Sequence, residues 1–352
     1  MHTGPCFQSL PMIEIQSITF LLIIDRLKNI ATPANDGLLN NVVWALSNFC
    51  RGKPQPKLAL VEPAIPYLAQ LLSSDKTGVF PDVCWALSYI SDGDDSRITA
   101  VMNTGVTGKL IENLSHNDAS IVTPTLRTLG NFVSGSEAQT QAVVNFGILD
   151  NVQKLLHHPK KNIRKETCWL LSNIAAGSRD QISAVVCQAQ IMKAIIGLVE
   201  KAEWDVRKEA TWVISNIATG GLASHVHDLV ELGAISALCS VIDVADIKIL
   251  MIVLEAIECI LRVGKNSERD YVGYVDECDG LDKIENLQEH ENDKIYKKSV
   301  DIIETFFGVE EGEDENLVPA INGDTYEFGL PVNNKTMVVG ETQQQPLQPF
   351  NF

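Results

Sequence analysis

The chain has 352 residues, of which 45% are hydrophobic and 21% are charged, a composition that is ordinary for a soluble folded protein and excludes wholesale disorder. Its 45 acidic residues outnumber its 28 basic residues and give a formal net charge of −17. This excess of acid disfavours nucleic acid as a ligand, because phosphate contacts need Lys and Arg, and it favours basic partners.

The first apolar segment is the run ITFLLII at residues 18–24, far shorter than the roughly 20 residues that span a bilayer. No Lys or Arg precedes it, so it is also a poor signal peptide. The eight Cys form no CxxC pair, and Cys84 and Cys168 each directly precede a Trp, so a repeated position explains them better than a disulfide or a metal site. We therefore expect no membrane segment, no secretion and a reducing compartment.

A five-residue pattern recurs along the chain every 41 to 43 residues. It reads WALSN from Trp44, WALSY from Trp85, RTLGN from Arg127, WLLSN from Trp169 and WVISN from Trp212, with a weaker sixth copy at residues 255–259. Between the copies lie stretches with the apolar periodicity of helices. A period near 42 made of helical units is typical of an armadillo or HEAT-type solenoid, so we predict an all-α fold.

Two sets of glycines mark the same frame. The first set follows each copy of the pattern by eight or nine residues, where a glycine is expected to end a helix. It comprises Gly52, Gly93, Gly135, Gly177, Gly220 and Gly264. The second set, which comprises Gly105, Gly147, Gly233 and Gly280, stands shortly before the next unit and predicts a further helix junction.

On a helix with about 100° per residue, the Trp of each pattern shares one stripe with the Asn four residues later, the Ser three residues later and an acid three residues earlier. The acids are Asp82, Glu166 and Glu209. The apolar core positions fall on another arc, so we predict that this stripe faces solvent. The alternative is that each Trp packs between repeats and each Asn makes a helix-end hydrogen bond. Four Trp in one register favour the binding stripe.

Such a stripe predicts a basic ligand. A Lys or Arg stem can lie between Trp rings with its cation near their faces, and carboxylates on the same stripe meet its charge. Asn carries both a donor and an acceptor, so it can hold an extended backbone without reading side chains. We therefore predict binding of an extended Lys/Arg-rich peptide.

These repeats resemble those of importin-α, the armadillo-repeat receptor for nuclear localisation signals. The resemblance rests on WALSNFCRGKPQP from Trp44, CWALSYISDG from Cys84, LRTLGNFVSG from Leu126, ETCWLLSNIAAG from Glu166 and EATWVISNIATGG from Glu209. It extends from about Leu38 to Phe307, and the loops are most similar to those of plant members. It implies a right-handed armadillo solenoid of about six to seven repeats at residues 37–308. A non-matching segment at 1–36 would precede it, and an acidic, then low-complexity disordered tail at 309–352 would follow.

The resemblance also implies two peptide grooves separated by Arg127. An intact minor groove would use Trp169, Asn173, Trp212, Asn216, Glu166, Glu209, Arg127, Asn131, Val133, Ser134 and Tyr89. A residual major groove would keep Trp44, Asn48, Asp82 and Trp85.

The implied function is that of a nuclear import receptor that binds proteins bearing basic localisation signals and resides in the cytoplasm and the nucleus. The C-terminal repeat would serve the exportin that recycles such receptors. Residues 1–36 match no basic arm for importin-β, so we expect no importin-β binding. The two alternatives are an armadillo scaffold for another extended partner and a truncated importin-α without transport activity.

No set of nucleophile, base and oxyanion donors is visible, and the histidines lack metal-ligand spacing. We therefore expect no enzyme activity, cofactor or metal, and neither nucleic acid nor membrane as a partner.

Overall fold

The computed structural model describes residues 36–74, 76–308, 320–322 and 325–327, together with the isolated helical positions Leu22 and Ile24. The chain divides into two compact units, Met1–Phe307 and Gly308–Phe352. Most of the segment predicted to be non-matching, residues 1–36, lies outside the described residues.

The first unit is built from α-helices in the part of the chain that the structure describes. They are α1 (Asp36–Cys50), α2 (Leu58–Val61), α3 (Ile65–Leu72), α4 (Phe80–Ser91), α5 (Asp95–Met102), α6 (Thr107–Asn113), α7 (Ala119–Phe132), α8 (Glu137–Asn145), α9 (Ile148–Leu155), α10 (Lys161–Ala175), α11 (Arg179–Val186), α12 (Ala189–Lys201), α13 (Trp204–Gly220), α14 (Ala223–Glu231), α15 (Ala234–Cys239), α16 (Ile247–Asn266), α17 (Tyr271–Asp276), α18 (Gly280–Asn286) and α19 (Asp293–Ile302). Short 3-10 turns lie at Glu62–Ala64, Thr77–Val79 and Leu287–Glu289, and a π-helical turn at Ile303–Phe307 follows α19.

After α1, the helices recur in groups of two short helices and one longer helix. Each third helix packs against the third helix of the next group, in the order α1, α4, α7, α10, α13, α16 and α19. The predicted solenoid is confirmed, and its third helices form a ladder of neighbours. The second residue after each Trp position is fully buried and links the core from one repeat to the next: Leu46, Leu87, Leu129, Leu171 and Ile214.

The second set of glycines lies at helix junctions, as predicted, whereas the first set ends its helices less regularly. α1, α4, α7 and α10 end two or three residues before their glycine, but α13 ends at Gly220 itself and α16 continues past Gly264. In the first set Gly93 has a positive φ, of +153°, and in the second set φ is +77° at Gly105 and Gly147 and +94° at Gly233. In the last repeat the residue before Gly280, Asp279, also has a positive φ, of +55°.

Polar side chains also join successive repeats. The Oε1 of Gln139 accepts from the Ser136 N–H at the start of its own helix (2.8 Å), while its Nε2 donates to the Asp95 carbonyl of the preceding repeat (3.0 Å). Gln181 does the same with Ser178 (3.1 Å) and Glu137 (2.9 Å). A buried amide that satisfies groups on both sides fixes how the repeats stack.

The described part of the second unit is a short antiparallel pair, β1 (Ala320–Asn322) and β2 (Thr325–Glu327), in which Ile321 lies opposite Tyr326. The other residues of the predicted tail, 309–352, lie outside the described residues.

Within the described ranges, no single helix is long and apolar enough to cross a membrane. Helices α11 and α12 would qualify only as a pair, by length and composition, and they are bent by 85° at the break between them.

Candidate functional site

The third helices bring the predicted Trp stripe together, one position per helix. Trp44 on α1, Trp85 on α4, Trp169 on α10 and Trp212 on α13 occupy the same register, with Arg127 on α7 between the two pairs. Trp44 is 60% exposed, and the other three indoles are half-buried. Consecutive third helices pack against one another, so the Trp positions follow one another along the array in the order of the sequence.

The Ser of each pattern does not face solvent, and this part of the predicted stripe is wrong. All four are buried: Ser47, Ser88, Ser172 and Ser215. The hydroxyl groups of Ser47 and Ser172 donate to the carbonyls of Trp44 (2.9 Å) and Trp169 (2.8 Å) one turn earlier. The third helix of the next repeat packs against these serines, as the bonds from Asn131 to the Ser88 carbonyl and from Asn216 to the Ser172 carbonyl indicate. A projection of one helix does not show this neighbour.

The Asn side chains tie each helix to the one before it. The Nδ2 of Asn173 donates to the Gly130 carbonyl at 3.5 Å, and the Nδ2 of Asn216 donates to the Ser172 carbonyl at 2.9 Å. Both residues are half-buried. Each bond uses the amide nitrogen, so Oδ1 is the end that the N–H of a bound peptide would meet.

The other two Asn differ. Asn131 is buried, and its Nδ2 donates to the Ser88 carbonyl (2.9 Å) and the Ser91 hydroxyl (3.1 Å), so it serves the junction of α4 and α7 rather than an open groove. Asn48 is exposed and donates within its own helix, to the Trp44 carbonyl at 2.9 Å.

The acid on α10 is buried, which corrects its predicted exposure. Glu166 is 4% exposed and forms an ion pair with Arg127, with 2.5 Å between Nη2 and Oε1. The Arg127 guanidinium also lies over the Trp169 ring, 5.0 Å from its centroid. The Oε2 of Glu166 is buried without a hydrogen-bond partner. Arg127 therefore neutralises the acid and covers one indole with a cation of the chain itself.

The acid on α13 remains half-buried. Burial raises the pKa of Glu209, and the nearby Lys165 opposes that rise while Glu166 adds to it. Trp212, one turn along the same helix, has the Lys248 ammonium of α16 at 5.3 Å from its ring centroid. Glu209 is thus the acid of this groove that stays closest to solvent, and its carboxylate would gain from a second cation.

The N-terminal part of the ladder carries a stacked aromatic pair. Trp85 and Tyr89 lie one turn apart on α4, with ring centroids 5.6 Å apart and planes 20° apart. Asp82 is half-buried on the same helix, and burial raises its pKa. Of these residues, Tyr89 lines a concavity of about 610 Å³, together with Lys53 and Asp92.

A second concavity, of about 520 Å³, lies at the C-terminal ends of α7 and α10. Its lining includes Val133, Ser134 and Asn173, three residues of the predicted minor groove. It also includes Glu137 and Gln181, which the sequence reasoning missed. Their only signal was position, since both lie within four residues after the repeated glycine, in the first turn of the next helix.

Comparison with known families shows armadillo repeats. Residues 53–92 and 136–176 match the armadillo/beta-catenin-like repeat family, and residues 269–320 match the atypical Arm repeat family.

Curated relatives are importin subunits. The chain is 41% identical to importin subunit alpha-1b of Oryza sativa subsp. japonica over 336 residues, which cover 93% of this chain and 60% of that relative. It is 43% identical to importin subunit alpha-4 of Arabidopsis thaliana over 284 residues, covering 78% of this chain and 53% of that relative. The chain thus spans between about half and three-fifths of the length of these relatives.

Solved structures show the same architecture. A designed armadillo repeat protein in complex with the peptide (KR)4 superposes with a TM-score of 0.62 at 26% identity, covering 69% of this chain and 99% of that chain. A computationally designed armadillo repeat protein for modular peptide recognition gives a TM-score of 0.63 at 25% identity, with the same coverage.

Proposed function

This chain is an armadillo-repeat protein homologous to importin-α subunits, and we propose that it is a receptor for nuclear import signals that binds extended Lys/Arg-rich segments of other proteins. The observation that carries the proposal is the pair of half-buried indoles, Trp169 and Trp212, on the neighbouring helices α10 and α13. The proposed role is binding without catalysis.

We propose the interval between α10 and α13 as the main peptide slot. The in-chain cations reach Trp169 and Trp212 from the flanking helices, Arg127 from α7 and Lys248 from α16. Both sources lie outside the interval, so the methylenes of a peptide Lys or Arg can pack between the two indoles. The Glu209 carboxylate lies one turn from Trp212 and would meet the charged head.

The peptide backbone would be held by the Asn side chains. Because Asn173 and Asn216 use their amide nitrogens on the preceding helix, their Oδ1 atoms are fixed in direction and can accept from peptide N–H groups. Such contacts bind an extended chain whatever its side chains, while the Trp slot selects Lys or Arg. The concavity lined by Val133 and Ser134 would take a neighbouring peptide side chain.

We propose a second, shorter site on α1 and α4. Trp44 exposes most of its indole, and Asp82 and Trp85 lie on the adjoining helix. This pair offers one slot and one acid, so we expect weaker binding than at the α10–α13 slot.

The test is the binding of a fluorescent Lys/Arg-rich localisation peptide to three forms of the full chain. We expect the Trp169→Ala/Trp212→Ala variant to lose most of the affinity, by a factor of about 100 if the two indoles contribute 1 to 2 kcal/mol each. The matched variant Trp44→Ala/Trp85→Ala should keep most of it. A peptide with its Lys and Arg replaced by Gln controls for backbone contacts.

A folded wild-type chain that does not bind the peptide would contradict the proposal. Equal losses of affinity in the two double variants would also contradict it, because they would mean that the α10–α13 slot is not the main binding site.

We also propose the last repeat as the surface for the recycling exportin, and residence in both the cytoplasm and the nucleus as the consequence of that traffic. Tyr274 and Tyr296 are exposed there, on α17 and α19, among acidic residues. Exposed aromatic side chains within a charged rim are common at protein interfaces. Loss of exportin binding in a Tyr274→Ala/Tyr296→Ala variant would test this assignment.

A further inference from the structure

One glycine of the ladder has no backbone reason to be there. Gly130 lies inside α7, three residues after Arg127, and it is not among the residues with positive φ. Glycine inside a helix costs roughly 1 kcal/mol relative to alanine. The equivalent position holds a serine in four of the other five copies, Ser47, Ser88, Ser172 and Ser215, and Glu258 in the weaker sixth copy. A packing constraint is therefore required to explain Gly130.

The constraint is the Trp169 indole. A Cβ added to Gly130 would lie 2.2 Å from Cζ3, 2.6 Å from Cε3 and 3.1 Å from Cη2 of that ring. Atoms cannot approach so closely, so the ring lies directly against the backbone of α7 at this point. Arg127, nearly one turn earlier on the same helix, covers the ring at 5.0 Å from its centroid.

Gly130 also contacts Asn173, the second side chain of α10 that we propose for peptide binding. Its carbonyl oxygen accepts from the Nδ2 of Asn173, one turn after Trp169 on α10. One residue of α7 thus contacts both the indole that would hold a peptide side chain and the amide that would hold the peptide backbone.

We propose that Gly130 is a positioning residue of the peptide slot, an inference that rests on the function proposed above. Its missing side chain lets the Trp169 ring lie back on α7, under Arg127. α7 and α13 lie on either side of α10 in the order of the array. A side chain at position 130 therefore pushes the ring away from α7, toward the slot that the peptide would occupy.

Two variants test the proposal, Gly130→Ala and Gly130→Ser, the latter carrying the residue that four of the other copies have. The matched control is Gly197→Ala, because Gly197 also lies inside a helix, α12, and an added Cβ there would meet nothing within 4 Å. We expect the Gly130 variants to bind the basic peptide about tenfold more weakly and the control to bind it normally.

The ring itself can be observed by fluorine NMR of the chain labelled with 5-fluorotryptophan, which has five Trp. The Trp169 resonance, assigned by its loss in Trp169→Phe, should move in Gly130→Ala, and the Trp44 resonance should not. An unmoved Trp169 resonance would overturn the proposal even if the chain binds no peptide. This measurement therefore separates its failure from failure of the proposed function.

A double-variant cycle tests whether Gly130 acts through the indole. In a Trp169→Ala background the added Cβ has nothing to displace, so Gly130→Ala should cause no further loss of affinity. Equal losses with and without the indole would overturn the proposal. If Gly130→Ala alone unfolds the chain, Trp169→Ala should restore the fold, and failure to restore it would also contradict the proposal.

Discussion

Two glutamates at the same position of successive repeats are in different states. Glu166 is buried and paired with Arg127, whereas Glu209 is half-buried and has its pKa raised by burial. The difference follows from the preceding helix, which supplies Arg127 beside Glu166, while the residue at that position before Glu209 is Trp169. The Arg that interrupts the row of indoles therefore also decides which acid is available to a ligand.

The state of Glu209 gives a pH prediction. A bound peptide cation favours the carboxylate, and burial makes this carboxylate take up its proton at a higher pH than an exposed Glu, whose pKa is about 4.3. We expect peptide affinity to fall as the pH is lowered through that raised pKa. Glu209→Gln should bind more weakly at pH 7, with a flatter pH profile, as measured by fluorescence anisotropy.

The free energy of unfolding should change with pH in the opposite direction to peptide affinity. The folded chain holds the Glu209 proton more tightly than the unfolded chain, so ionisation of Glu209 lowers the free energy of unfolding as the pH rises through this window. Glu209→Gln should therefore melt no lower than the wild type at pH 7. A variant that loses affinity and stability together would show that Glu209 is structural instead.

At the scale of the helices, the array is joined by side chains that reach one repeat back. Asn131, Asn173 and Asn216 donate to carbonyls of the preceding third helix, and Gln139 and Gln181 do so between the first helices. The Asn of the pattern serves first as a link between helices, and where it is half-buried its oxygen remains for a ligand.

The junction of α4 and α7 depends on the Asn131 side chain. Its amide is buried and satisfies two acceptors across the junction of α4 and α7. Asn131→Ala removes both of these hydrogen bonds, each worth about 0.5–1.5 kcal/mol, so we expect a loss of about 1–3 kcal/mol in the free energy of unfolding, measured in urea. Asn48→Ala is the matched control, because Asn48 is exposed and bonds only within its own helix. A similar loss in both variants would contradict this account.

The sequence predicts the helices and their period well, because the apolar positions and the Trp register are properties of one repeat. It fails where the answer depends on the next repeat. The buried Ser172, the pairing of Glu166 with Arg127 and the contact between Gly130 and Trp169 all arise from residues about 40 positions apart. A projection of one helix shows which residues share an arc, but it does not show which arc the neighbouring helix covers.

For the whole molecule, the net charge is opposite in sign to the ligand that we propose. A chain of net charge −17 attracts a Lys/Arg-rich peptide from a distance, and salt screens that attraction over about 10 Å at 0.1 M. Raising the salt from 50 to 500 mM should slow association on the order of tenfold and change dissociation less, as measured by stopped-flow fluorescence. An association rate that does not respond to salt would mean that the net charge has no part in capture.

The links between repeats share one more property. Among the described residues, the side-chain hydrogen bonds that join repeats connect positions no more than 44 apart in the chain. Forming any one of them closes a short loop, so folding can start at any junction and spread to its neighbours. We therefore expect such a chain to unfold in stages, so that a single melting temperature describes it less well than it describes a compact globular domain.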